Sequence, residues 1–138
     1  MTSKGMYLNN PLNIKHSAIL WEGMSLNQDD KEIIRFTKPE YGIKAAYKIL
    51  YTFNTKYHCK TLGQLISRWA PPDKNDTVTY IKIVCTVCKC PPETLVDFND
   101  IDFMCSMLKA MCKFENGITY PDSIIKKGIL LKNVKHDS

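Results

Sequence analysis

Asp100-Ile-Asp-Phe-Met-Cys-Ser-Met-Leu-Lys-Ala-Met-Cys-Lys-Phe-Glu115 is the stretch on which the reading of this fold turns. With a helical step of about 100° per residue, Asp102, Ser106, Lys109 and Lys113 form one narrow polar stripe. Ile101, Met104, Cys105, Leu108, Met111 and Cys112 form a second row at spacings of three and four, and Glu115 continues it. On the same step Glu115 stands about 150° from the polar stripe, on the side that should be buried. A charged carboxylate there loses hydration, which favours the protonated acid, the state from which a proton can be donated. Asn116-Gly117 is a strong helix stop, so the acid is expected to emerge at the rim of whatever the helix packs against. Amphipathic helices also end in charged residues that turn back into water, so a catalytic role needs support from elsewhere in the chain.

Working outward, most of the remaining sequence reads as helix. Thr37-Lys-Pro-Glu40 has the form of a capping box with proline in the first turn. Ile43, Ala46, Tyr47, Leu50 and Phe53 continue it as an amphipathic helix. Thr61 to Trp69 forms a shorter helix stopped by Pro71-Pro72. Asn75-Asp76-Thr77 offers a cap for a helix whose apolar face is Tyr80, Ile81, Val84, Val87 and Cys88. A last helix starts at Pro121-Asp-Ser and ends at Gly128. Only residues 9 to 36 carry other signals: Leu12–Lys15 and Ile33–Phe36 read as short strands, joined through a turn around Asn27 to Asp30. The expected fold is mostly α (α+β), with a small β-hairpin near the start.

At 138 residues the chain is read as one domain, 1–138, with a core over about 9–131, and its 44% hydrophobic and 24% charged content is ordinary for a globular protein. The N-terminus lacks the apolar run of a secretory signal. No stretch has the length of a membrane span, so membrane insertion is not expected and delivery to a target beyond the membrane would need another agent. The net charge of +5 comes with lysines spread along the chain. It suits a polyanionic partner, an acidic wall polymer or nucleic acid, as well as it suits solubility. No specific nucleic-acid partner is expected.

Cys85-x-x-Cys88-x-Cys90 invites a zinc reading, but no second Cys/His pair stands at finger-like spacing, and Cys59 or Cys112 could complete a site only through the fold. Most of the six cysteines fit helical patterns and read as reduced, small core residues. His16, His58 and His136 are scattered, and the glycines form no phosphate loop. Neither a metal nor a cofactor is expected.

Asn9-Asn-Pro-Leu-Asn-Ile-Lys15, then Trp21-Glu-Gly23, then Ile33-Ile-Arg-Phe-Thr-Lys-Pro-Glu40 resembles the region that follows the catalytic helix in bacterial wall-degrading glucosaminidases and related lysozymes. In those enzymes a Glu ends a helix and the small hairpin after it walls the sugar cleft. Here the hairpin comes first and the helix ending Phe114-Glu-Asn-Gly117 near the finish, an order that implies a circularly permuted, lysozyme-like helical domain. From Asn9 to Leu131 the chain also resembles a family of phage and prophage virion structural proteins. The matching blocks are Asn10-Pro-Leu-Asn-Ile14, Gly42-Ile-Lys-Ala45, Arg68-Trp-Ala-Pro-Pro-Asp-Lys-Asn-Asp-Thr77 and Phe114-Glu-Asn-Gly117. Phe114 stands where that family often has His.

The resemblance implies cleavage of peptidoglycan glycan strands with Glu115 as general acid, by a muramidase, glucosaminidase or lytic transglycosylase. Hydrolysis needs a second carboxylate, for which Glu22, Asp29, Asp30 and Glu32 are candidates, with Glu32 foremost because it leads a strand. A transglycosylase would need only Glu115. Asn13 and the backbone of Asn10 to Lys15 are expected to line the cleft, and Trp21 and Trp69 to offer flat faces to sugar rings. Asn75 reads first as part of a helix cap and otherwise as a substrate contact. The implied partners are bacterial peptidoglycan and other virion proteins, and the implied place of action is the cell wall or a virion. The alternative is a virion or baseplate component that binds wall glycan without cutting it.

Overall fold

Four of the helices begin at a side chain that meets otherwise unpaired backbone N–H groups, the caps being Ser3, Thr61, Asp76 and Asp100. In the computed structural model, which describes residues 3–131, there are six helices. They are α1 (Lys4–Tyr7), α2 (Pro39–Lys56), α3 (Leu62–Trp69), α4 (Thr77–Cys88), α5 (Ile101–Asn116) and α6 (Asp122–Leu130). Thr61 caps α3 in a reciprocal box with Gln64, Asp76 caps α4 through the Thr79 N–H, and Asp100 caps α5 through the Phe103 N–H. Gly117 ends α5 at φ 76°, a left-handed conformation that glycine enters without a Cβ penalty, and returns its N–H to Lys113 O at 2.7 Å. The fold is therefore mostly α.

The core lies where the apolar rows of these helices meet. Helix α5 is its centre: Met104, Cys105, Met107, Leu108, Ala110, Met111 and Cys112 are all buried, packed between α4 and α6. Helix α2 adds Ile43, Ala45, Ala46 and Leu50 and lies along α6, and α3 adds Leu62, Leu65 and Ile66. No described helix is long and apolar enough to cross a membrane.

Two local expectations are corrected. The small N-terminal hairpin is not formed. Between residues 12 and 36 the chain makes only isolated antiparallel bridges, Lys15 with Ile33 and Met24 with Phe36. Asn13 sits at φ 55°, which breaks the extended run from Leu12 to Lys15. Side chains then replace the ladder. Buried Asn10 donates to Ile14 O and Ile34 O and accepts from the Ile14 N–H, all within 2.9 Å. Gln28 donates to Ser25 O and Arg35 O and accepts from the Arg35 N–H. The loop is thus pinned by amides rather than paired as strands. The capping box at Thr37 is also absent. Thr37 Oγ1 donates to Gly23 O, Lys38 occupies the cap position without a side-chain bond, and Glu40 is buried near Lys127 at 3.8 Å. Helix α1 had no counterpart in the sequence reading, since four residues carry too little periodicity to register.

A carboxylate held by three donors in an open cleft

The 9–36 loop, the C-terminus of α5 and the α3–α4 connection together enclose a cleft of about 910 Å³. Glu115 lies in its lining, half-buried. Its Oε1 accepts from Asn13 Nδ2 at 3.2 Å, and its Oε2 accepts from Trp69 Nε1 at 3.1 Å and from the Tyr80 hydroxyl at 3.0 Å. Three parts of the fold therefore converge on one side chain: the pinned loop, the end of α3 and the first turn of α4. The apolar row of α5 delivers Glu115 to this place, as its spacing implies. At the carboxylate itself the setting is polar, which the row could not reveal.

Two of the three donors, Asn13 and Tyr80, are held by further contacts. Asn13 also donates to Glu115 O at 3.3 Å, and Asn116 Nδ2 donates to Pro11 O at 2.6 Å, so the loop is tied to the end of α5 twice over. Ser3 Oγ donates to Asn116 Oδ1 at 2.8 Å. Tyr80 is buried and its ring stacks on Phe114 with centroids 4.0 Å apart. Burial first, then the charge of Glu115, pushes the Tyr80 phenol far above its usual range, which favours the neutral hydroxyl that donates to the carboxylate. A carboxylate offers about four acceptor positions, and three are taken here, leaving room for one more donor from a ligand.

Of the residues expected in the site, Asn13, Lys15, Trp21, Glu32, Trp69, Asn75 and Glu115 all line this cleft. Asn10 does not. It is fully buried behind the wall, with its amide spent on Ile14 and Ile34. Asn75 donates to Pro71 O at 2.9 Å, and the cap of α4 is Asp76 alone. Asp73, Lys74, Asn116 and Ile19 also line the cleft and were not singled out from the sequence. The signal for Tyr80 was present only as an apolar-face position.

The candidates for a second carboxylate are all engaged. Glu22 pairs with buried Lys44 at 2.5 Å and Asp29 with Arg35 at 3.3 Å. Asp30 accepts the Ile33 and Glu32 N–H groups and pairs with Lys4, and those backbone bonds, first of all, hold it down at about 2. Glu32 lines the cleft as expected and pairs with Lys4 at 3.1 Å. Among the described residues no group of three His, Cys, Asp or Glu side chains is placed to hold a metal ion. Burial, then the neighbouring Cys90 and Cys85, pushes the Cys88 thiol up to about 12, so it stays protonated in its packing role. His136 lies outside the described residues.

No protein-family model matches the chain. Among characterised proteins it is similar to Protein P5 of Pseudoalteromonas phage PM2, at 35% identity over 130 residues, covering 91% of this chain and 79% of that one.

Proposed function

Because the chain belongs to the family of Protein P5 of Pseudoalteromonas phage PM2, we propose that it is a component of a phage virion whose cleft binds the glycan of the bacterial cell wall. The observation that carries this reading is the Glu115 carboxylate, held on both oxygens by Asn13, Trp69 and Tyr80 inside a cleft with the partly buried indole rings of Trp21 and Trp69. Sugars are recognised by this combination: a fixed acceptor for a hydroxyl, amides for further hydrogen bonds, and aromatic surface against the apolar face of a ring. Asn13 and Asn75 line the cleft with their N–H groups given to Glu115 and to Pro71 O, and their amide oxygens can accept from sugar hydroxyls.

A second reading is cleavage, with Glu115 as the proton donor to the glycosidic oxygen. The observation favouring it is positional. A helix ends in Glu115-Asn116-Gly117, and the loop that opens the chain is bound to that end through Asn13 and Asn116, which supports the resemblance to the lysozyme-like cleft even though that loop forms no hairpin. In such an enzyme Glu32 would be the second carboxylate of a hydrolase, and a transglycosylase would dispense with it. Binding is placed first because every group touching Glu115 donates to it, and the candidate partner Glu32 is tied to Lys4.

Co-sedimentation with purified peptidoglycan, followed by mass spectrometry of the supernatant, separates the two. The expected result is that the native protein sediments with the walls and that Glu115→Gln and Trp69→Ala each weaken this about tenfold, the loss of roughly one charged hydrogen bond or one stacking face. Soluble fragments with new reducing ends, or with anhydro ends, that disappear in Glu115→Gln would replace binding by hydrolysis or transglycosylation. Native protein left entirely in the supernatant with the walls intact removes both.

A further inference from the structure

The lysines are spread along the chain, but the acids are not. From Tyr41 to Pro72, through α2 and α3, there is no Asp or Glu, while Lys44, Lys48, Lys56, Lys60 and Arg68 fall within it. This segment therefore carries the whole net charge of +5. Lys44 is buried and paired with Glu22. The other four cations are exposed and form no ion pair among the described residues.

The fold gathers these charges instead of separating them. Arg68 Cζ lies 3.6 Å from the Tyr57 ring centroid and 5.2 Å from that of Phe53, and Lys56 Nζ lies 5.6 Å from the same Tyr57 ring. Two cations thus share one aromatic ring with no ion-paired carboxylate among the described residues, an arrangement whose mutual repulsion an arriving anion would relieve. His58 and Arg68 also line a shallow depression with Gln64 and Ser67. The loop from Glu93 to Asp97 passes close to Lys60, through the Val96 N–H to Lys60 O bond at 3.0 Å, yet its acids make no ion pair there. Along α2 the outward face is Lys48, Thr52, Thr55 and Lys56.

We propose that this α2–α3 face binds the phosphodiester backbone of a nucleic acid duplex without reading its sequence. Phosphate contacts come from Lys, Arg, Thr and Tyr side chains, the residue types of this face. A lipid-inserting helix presents a continuous apolar face, whereas the exposed apolar side chains here, Tyr51 and Tyr57 with Leu95 on the loop bridged to Thr61, stand singly among the four cations. None of the four cations lines the glycan cleft, so the two surfaces can be tested separately.

The test is fluorescence anisotropy of the full chain with a mixed-sequence DNA duplex of about two helical turns, across a salt series. Four phosphate contacts at roughly 0.9 counterions each give a log–log slope of about −3 to −4, a loss of affinity near a hundredfold between roughly 50 and 200 mM salt. The triple variant Lys48→Gln, Lys56→Gln, Lys60→Gln touches only exposed side chains, and it should make the slope shallower by about three. An equal loss of charge elsewhere, Lys31→Gln with Lys38→Gln and Lys113→Gln, should leave the slope nearly unchanged. The proposal is overturned by salt-insensitive or absent binding, or by an equal effect of the two triple variants. Tighter binding to phosphatidylglycerol vesicles than to the duplex at the same salt would overturn it as well, assigning the face to a lipid surface.

Discussion

Glu115 owes its orientation to donors that can be removed one at a time without touching the acid. Tyr80→Phe deletes the 3.0 Å hydroxyl bond while keeping the ring stacked on Phe114. The remaining cost is that of one hydrogen bond to a charged group at a partly buried site, about 1.5–3 kcal/mol. Urea denaturation of the two proteins reads it directly, and a difference below a few tenths of a kcal/mol would mean that the phenol and the carboxylate do not meet in solution. The residue scale is also where reading from sequence stops short. The spacing of Met104, Leu108, Met111 and Glu115 puts the acid on the inward side of α5, and the structure places it there. Nothing in that spacing names Asn13, Trp69 or Tyr80, which lie 102, 46 and 35 positions away in the chain.

At the scale of elements, the decisive contact is between the short helix α1 and the end of α5. Gly5 is buried where these meet, and a Cβ added there would collide with the side chains of Asn13 and Asn116. Both amides are already committed, Asn13 to Glu115 and Asn116 to Pro11 O and Ser3 Oγ. Gly5→Ala is therefore expected to destabilise by about 1–3 kcal/mol, the usual cost of overpacking. Because Asn13 must move, it should also lower glycan affinity. Denaturation and co-sedimentation measured on the same preparation check both effects; wild-type values in each would show that the loop and α5 are not locked together as described. The helices themselves were legible. Thr61, Asp76, Asp100 and Gly117 start and stop three of them through bonds to residues three or four positions away. The hairpin was misread because Asn10 and Gln28 satisfy backbone groups that a strand ladder would otherwise pair, and alternation of residue types does not register that competition.

Over the whole molecule, charge is distributed unevenly although composition looks unremarkable. A face with four exposed cations and no ion-paired acid among the described residues repels itself, and salt relieves that repulsion. The Lys48, Lys56, Lys60→Gln variant should consequently be the more stable protein at low ionic strength, by about 0.5 kcal/mol, with the gap closing as salt is raised. Paired thermal melts across a salt series measure it. A variant less stable than the parent at every salt would show that these lysines support the fold through their stems rather than oppose it through their charge.

What the sequence determined by itself was local. The positions of α2 to α6, the side-chain caps of α3, α4 and α5, the buried row of α5 and the inward aim of Glu115 follow from interactions over three or four residues, which the order of residue types encodes directly. Only the tertiary structure decided which donors surround that acid, that Asn10 is a strut behind the cleft wall, and that Lys56 and Arg68 share one ring. Those facts depend on how α2 to α5 and the opening loop pack against one another, and packing brings together residues whose separation along the chain carries no trace of their meeting.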